Sequence, residues 1–214
     1  MEQEKIRKLR SLLISWGKAN FRHYPWRETK DPYKILIAEI LLHRTRADQV
    51  VPLYLEFIKR FPTNRTLTEA EPSEIKQLLT SAGLFWRIEM MHNMAGIIED
   101  KFQGKIPHEK EILVSLPGVG NYIASALRCF AWGYPDILVD TNTVRITGRI
   151  CGIEIHDGSR RQKKFLVKME EILDKDNPED FNYALLDLGS AVCLPRDPLC
   201  EKCPINSICQ SAMV

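Results

Sequence analysis

Apolar residues recur at helical spacing along most of the chain, and alternating β-branched runs are scarce. Ile6, Leu9, Leu12, Leu13 and Trp16 lie three or four residues apart and predict an amphipathic first helix. Later helices are predicted over residues 49–61, 71–83, 87–100, 110–116, 162–173 and 182–192. The pattern therefore predicts an all-α fold with an irregular, cysteine-rich tail.

Two aspartates precede apolar stretches and predict helix starts. Asp31 is followed by Pro32, so Asp31 suits the N-cap and Pro32 the first helical position. Asp140 precedes an apolar face that begins at Val144, and it also suits an N-cap. Gly133 to Pro135 separates the Asp140 helix from the one before it.

The composition is that of an ordinary globular protein, with 44% hydrophobic and 27% charged residues among 214. This excludes a disordered, collagen-like or fibrous chain and leaves room for one large domain or two small ones. The longest apolar run, residues 35–42, contains Glu39 and is far shorter than the ~20 residues of a membrane helix. The charged N-terminus has no signal-peptide core. We therefore expect a cytoplasmic, prokaryotic protein with no membrane partner.

The net charge of +2 argues, by itself, against a nucleic-acid partner. The charges are segregated, however. Residues 5–30 carry eight basic residues and one acid, whereas residues 171–187 carry six acids and one base. The basic stretch is either a solvated helix face or a surface that faces phosphates.

Four of the six cysteines fall within 17 residues in the pattern C-x6-C-x2-C-x5-C, namely Cys193, Cys200, Cys203 and Cys209. In a cytosolic chain such a cluster indicates a metal site rather than disulfides. Zinc ribbons usually separate two C-x2-C pairs by a longer insert, so the compact spacing favours a [4Fe–4S] cluster over zinc. Cys129 and Cys151 stand alone and are predicted to pack in the core.

A short glycine-containing segment, Leu116-Pro117-Gly118-Val119-Gly120, lies between two predicted helices. Its two glycines permit a tight turn with positive φ and let backbone N–H groups approach an anion closely. An ordinary helix–helix loop is the alternative. With the small-residue helix that follows it, the segment resembles the helix-hairpin-helix, which binds DNA phosphates without reading sequence.

This hairpin, the later Val139-Asp140-Thr141-Asn142 segment and the four-cysteine loop together resemble the endonuclease III superfamily of base-excision DNA glycosylases. The resemblance covers nearly the whole chain, with the parts in the family's order and spacing. It implies two helical domains with a DNA-binding cleft between them. Residues 20–135 would form a six-helix barrel, and residues 1–19 with 136–214 would form a domain that holds a [4Fe–4S] cluster. It also implies that Gly118, Val119 and Gly120 bind the DNA backbone.

The resemblance places the superfamily's essential aspartate at Asp140. Breaking an N-glycosidic bond develops positive charge on the sugar, and an ionised carboxylate stabilises that charge and positions or deprotonates water. Glu39 is the second candidate, since it lies among apolar residues at helical spacing. Burial would raise its pKa and suit a general acid, whereas an exposed edge or a pairing with Arg44 would not. Mismatch-specific branches have a Glu at this place that contacts or protonates the flipped base.

Tyr122 occupies the place where bifunctional members have a lysine nucleophile, so a monofunctional enzyme is expected. A core aromatic is the alternative for Tyr122. By the same resemblance, His43 and Arg44 would fill the gap left by the flipped base and contact the orphan guanine. Arg196, on the cysteine loop, is a candidate phosphate contact. Gln49 and Leu84 are placed near the cleft by loose analogy only.

Two monofunctional branches fit. Adenine glycosylases, acting on A opposite G or 8-oxoguanine, typically have a small residue at position 122, glutamines at 43 and 44, and an extra C-terminal domain. Thymine glycosylases specific for G/T mispairs have Tyr at 122, a basic residue at 44 and no extra domain, and this chain ends five residues after its last cysteine. We therefore expect thymine or uracil opposite guanine as the substrate, on duplex DNA containing the mispair. We also expect a monomer, followed in repair by an abasic-site endonuclease. A non-catalytic DNA-binding module is the alternative of another class.

Overall fold

The structure is a computed structural model that describes residues 1–80, 85–156 and 158–212. Within those ranges it contains eleven α-helices and no strand, so the all-α prediction is confirmed for this part of the chain. The first six helices are α1 (Gln3–Asn20), α2 (Pro32–Leu42), α3 (Ala47–Arg60), α4 (Asn64–Thr68), α5 (Pro72–Thr80) and α6 (Phe85–Phe102). The others are α7 (Lys110–Ser115), α8 (Asn121–Trp132), α9 (Thr141–Cys151), α10 (Lys163–Ile172) and α11 (Pro178–Ala191). Over the described ranges, none of the helices has the length and hydropathy needed to cross a membrane.

The chain divides into two compact units. The first unit comprises Met1–Arg22 and Gly133–Val214, and the second comprises His23–Trp132. The boundaries expected from the sequence, at residues 20 and 135, each differ from these by three residues. The functions expected of the two domains stay predictions.

The first unit is built around α1, which packs along α11. Leu9 and Leu13 of α1 are buried against Ile146 of α9 and Leu188 of α11. Gly17 lets α1 approach closely, because a Cβ at that position would lie 2.6 Å from the Cβ of Ala184. The core of this unit therefore fixes the helix α9 that follows Asp140.

The second unit centres on α2, whose residues Ile35 to Leu41 are all buried. This helix packs against both α3 and α8, while α6 packs against α4 and α5. The hydroxyl of Tyr33 on α2 donates to the Phe61 carbonyl at 2.8 Å and ties α2 to the end of α3. Because apolar residues occur on every face of α2 and not on one stripe, it is the buried helix of this unit.

Two helices of the structure depart from the sequence prediction. The last helix was predicted to start at residue 182, but α11 begins one turn earlier at Pro178, with Glu179 and Asp180 in its first turn. Proline at the first position and acids near the positive end of the helix dipole account for the earlier start. The five-residue α4 was not predicted, and it is held by a capping box between Thr63 and Thr66.

Candidate active site

Asp140 is the N-cap of α9, as the sequence predicts. Its Oδ1 accepts a hydrogen bond from the Thr143 N–H at 2.7 Å, and the Asp140 N–H donates to Thr143 Oγ1 at 3.0 Å. Its Oδ2 accepts a further hydrogen bond from Asn142 Nδ2 at 3.0 Å. The carboxylate is half-buried. Donors on both oxygens therefore hold it in one orientation while part of it remains accessible.

Arg145 supports this arrangement and was missed by the sequence analysis. Its Nη2 donates to Asn142 Oδ1 at 3.0 Å and to the Gly189 carbonyl at 2.8 Å, and its Nε donates to the Cys193 carbonyl at 3.0 Å. Burial lowers the pKa of Arg145. Asn142 is thus held between Asp140 and Arg145. The one sequence signal for Arg145 is its place among the apolar residues of α9.

Glu39 lies in the middle of the buried α2, with 7% of its surface exposed. The sequence left open whether it occupied an exposed edge, and that alternative is wrong. Burying a carboxyl group costs free energy unless it has polar partners. A buried Glu39 is therefore unfavourable for folding on its own and is a candidate for a functional role.

His43 and Arg44 follow α2 directly, and both are exposed. Arg44 has a φ of 61°, in the left-handed region that non-glycine residues rarely adopt. The pKa of His43 is lowered, mainly because its imidazole is partly desolvated. The nearby cations Arg87 and Arg44 lower it further. Gln49, at the start of α3, is also exposed, and Leu84 lies outside the described residues.

The glycine hairpin joins α7 to α8. Gly118 has a φ of 77°, and a Cβ there would overlap the side chain of Met90. Gly120, unlike Gly118, does not have a positive φ. It faces open space instead, with nothing within 4 Å of a Cβ position. Val119 turns inward and is buried, which leaves the two flanking glycines exposed.

The first turn of α8 follows this hairpin. Its N–H groups cannot reach a carbonyl within their own helix, so the turn is suited to an anion. Tyr122 lies in this turn and is partly buried.

Three side chains of the basic N-terminal stretch bond to groups elsewhere in the first unit. Lys18 pairs with Asp180 at 3.2 Å, and Arg22 Nε donates to Asp187 Oδ1 at 2.7 Å. Arg10 donates to the carbonyls of Glu171 and Ile172 at the end of α10. The basic and acidic stretches therefore partly neutralise each other, which weakens the hypothesis of a phosphate-facing surface.

Four cysteines line one largely apolar pocket in the first unit, namely Cys193, Cys200, Cys203 and Cys209. Arg149 Nη1 donates to Cys193 Sγ at 3.3 Å. The pKa of Cys203 is raised to about 11, mainly by burial and to a smaller extent by the other three thiols. In the described part of the chain, no three histidine, cysteine or acidic side chains stand in an arrangement that could hold a metal ion.

The donor set nevertheless fits a [4Fe–4S] cluster, since such a cluster takes four thiolates. Its cationic core would also relieve the repulsion between neighbouring thiolates. Arg196 is exposed on the same loop. Cys129 is fully buried, and Cys151 is half-buried beside the core of the first unit.

A family model described as HhH-GPD superfamily base excision DNA repair protein matches residues 37–171. The thymine-DNA glycosylase of Aeropyrum pernix is 38% identical over 98% of this chain and 96% of its own length. An adenine DNA glycosylase of Buchnera aphidicola is 35% identical over 87% of this chain but only 53% of its own length.

A solved structure of a thermostable thymine-DNA glycosylase superposes with a TM-score of 0.90 at 32% identity, over 98% of this chain and 97% of the other. The family model, the sequence relatives and the solved structure all confirm the resemblance drawn from the sequence. The chain belongs to the HhH-GPD superfamily of base excision DNA repair proteins.

Proposed function

We propose that this protein is a monofunctional DNA glycosylase that hydrolyses the N-glycosidic bond of thymine or uracil mispaired with guanine. The observation that carries the proposal is Asp140, which is oriented through both carboxylate oxygens in a chain of this superfamily. The similarity to thymine-DNA glycosylases supports the choice of base.

Asp140 would act on the sugar. As the bond to the base breaks, positive charge develops on the deoxyribose, and a carboxylate already held in place stabilises it without reorganising. The same group can accept a proton from the attacking water. The hydrogen bonds from Asn142 and Thr143 hold the carboxylate in place for these tasks.

Glu39 and Tyr122 would act on the base. A mispaired base is weakly held, so extruding it costs less than extruding a matched one. A buried carboxyl group such as Glu39 can hydrogen-bond or protonate the departing base. Tyr122 has a ring and a hydroxyl but no amine, so attack on the sugar falls to water. His43 and Arg44 would contact the guanine left behind.

The cysteines Cys193, Cys200, Cys203 and Cys209 would hold a [4Fe–4S] cluster. When bound, the cluster supplies a structural cross-link for the loop that carries Arg196, whose guanidinium would contact phosphate. The catalytic steps proposed for the carboxylates need only water and protons.

The hairpin glycines give matched variants. We expect Gly118→Ala to lower both folding stability and affinity for duplex DNA, because it strains a positive φ and displaces Met90. Gly120→Ala has room in the fold and should keep the wild-type melting temperature. It should still weaken DNA binding several-fold, since a methyl group would separate the backbone from a phosphate. Thermal melts and fluorescence anisotropy would measure the two effects. Unchanged affinity in Gly120→Ala would contradict the phosphate contact.

Tyr122→Lys tests the monofunctional assignment. A lysine at the start of α8 would place an amine where bifunctional members have their nucleophile. We expect borohydride to trap a covalent complex of this variant with a G/U duplex, and no such complex with wild type. Trapping of the wild-type protein would show that another amine of this chain attacks the sugar.

Adenine excision is the second candidate, and the match to adenine DNA glycosylases favours it. Three duplexes separate the possibilities: G/T, G/U, and A opposite 8-oxoguanine, each incubated with protein and then heated in alkali. We expect alkali-dependent cleavage of the T and U strands and an intact A strand. Cleavage of the A strand alone would move the assignment to adenine. The absence of all three products would indicate a DNA-binding module without catalysis.

A further inference from the structure

Arg87 of α6 is the largest charged group in the interior of the second unit, with 1% of its surface exposed. A guanidinium is rarely buried unless its donors are used. Its Nη1 donates to the Leu41 carbonyl at 2.8 Å, and its Nη2 donates to the His43 carbonyl. Both acceptors belong to the end of α2 and the residue after it, where helix carbonyls lack partners within their helix. Arg87 therefore caps α2 from a neighbouring helix.

The turn that Arg87 holds is an uncommon one. The His43 N–H donates to Ile40 and the Thr45 N–H donates to Leu42, so the chain leaves α2 through a tight turn. Arg44 sits in that turn with a φ of 61°. A non-glycine residue persists in this conformation only when its surroundings enforce it. The guanidinium on the His43 carbonyl supplies such a constraint directly before Arg44.

We propose that Arg87 is a positioning residue that presents His43 and Arg44 to the DNA strand opposite the excised base. The inference rests on the proposed function, which assigns these two side chains to the orphan guanine. With Arg87 in place, the turn is ordered before DNA binds. Without Arg87, the turn must become ordered when DNA binds, and this ordering lowers the affinity. The loss applies only to substrates that have a base opposite the lesion for His43 and Arg44 to contact.

The test compares two duplexes that contain uracil, one opposite guanine and one opposite an abasic-site analogue that has no base to contact. Affinities are measured by anisotropy in an Asp140→Asn background, so that neither duplex is turned over. We expect Arg87→Met to weaken binding of the G/U duplex about tenfold, as expected when two side chains must be ordered on binding. Binding of the abasic duplex should change less than about twofold on the same reasoning.

Arg10 provides a matched control, because it also caps the end of a helix through two carbonyls, those of Glu171 and Ile172. Arg10→Met should lower thermal stability yet leave the ratio of the two affinities unchanged. Arg87→Lys keeps the charge but replaces two donor nitrogens with one, so it should lower the ratio partially. This variant serves if Arg87→Met does not fold. In a His43→Ala, Arg44→Ala background, Arg87→Met should cause no further loss.

The inference would be overturned if both Arg87 variants kept the wild-type ratio between the affinities for the G/U and abasic duplexes. Equal losses of affinity for the two duplexes would overturn it as well. The proposed function is checked separately with the wild-type chain. If wild type excises uracil from G/U while the Arg87 variants keep the ratio, only the inference fails. If wild type excises nothing, the proposed function fails and this inference with it.

Discussion

Asp140→Asn is expected to bind a G/T duplex with near wild-type affinity and to excise thymine about 10³-fold more slowly. Asparagine keeps the shape of the side chain but loses the negative charge that the sugar requires as the bond breaks. It also cannot accept a proton from water. Single-turnover excision assays, with anisotropy for binding, would measure the two properties separately.

The fold should tolerate this change, since Asn is as good an N-cap as Asp and can accept the same hydrogen bond from Thr143. Asp31→Asn is a matched control. Asp31 caps α2 by accepting from the Tyr33 N–H at 2.9 Å, but it has no role in the chemistry proposed here. Full excision by Asp140→Asn would show that catalysis does not need the negative charge. An equal loss in Asp31→Asn would show that the effect is not specific to the Asp140 carboxylate.

Cys203→Ser is expected to abolish iron binding and to lower the melting temperature. Wild type purified without oxygen should be brown, with broad visible absorbance and about four irons and four sulfides per chain. Because a bound group stabilises the folded state, its loss should lower the melting temperature by roughly 10 °C. Iron and sulfide analysis, absorbance and calorimetry give readouts that do not depend on activity.

Cys151→Ser is the control for this second prediction. Cys151 is half-buried beside the same core, and burial raises its pKa, but it lies outside the four-cysteine loop. It should keep the visible spectrum and the full iron content. A colourless wild-type protein with one zinc per chain would contradict the cluster, and so would full iron retention in Cys203→Ser.

Local sequence signals predicted most of the helices. Asp31 with Pro32, and Asp140, each mark a helix start through chemistry confined to a few neighbouring residues, and both starts are confirmed. The start of α11 was missed even though Pro178 gives a similar signal, because the apolar periodicity becomes clear only later. The short helix α4 has no such periodicity, and its capping box uses Thr66 in place of the usual acid or amide.

The buried polar groups could not be predicted in the same way. Whether Glu39 faces the interior depends on helices α3 and α8 packing around α2, which the α2 sequence alone does not determine. Arg87 and Arg145 are buried because they bond to carbonyls 44 to 48 residues away in the sequence. An isolated arginine in a sequence is usually a surface residue, so only the tertiary structure reveals these contacts.

Hydrolysis by this chain should release an intact thymine base from a G/T mispair. The most direct measurement is chromatography of the free base after single-turnover incubation with a G/T duplex, alongside a matched A/T duplex. We expect free thymine from the G/T duplex only, with a DNA strand that breaks after alkali treatment and not before. A reaction without free thymine, or a strand broken before alkali treatment, would contradict this expectation.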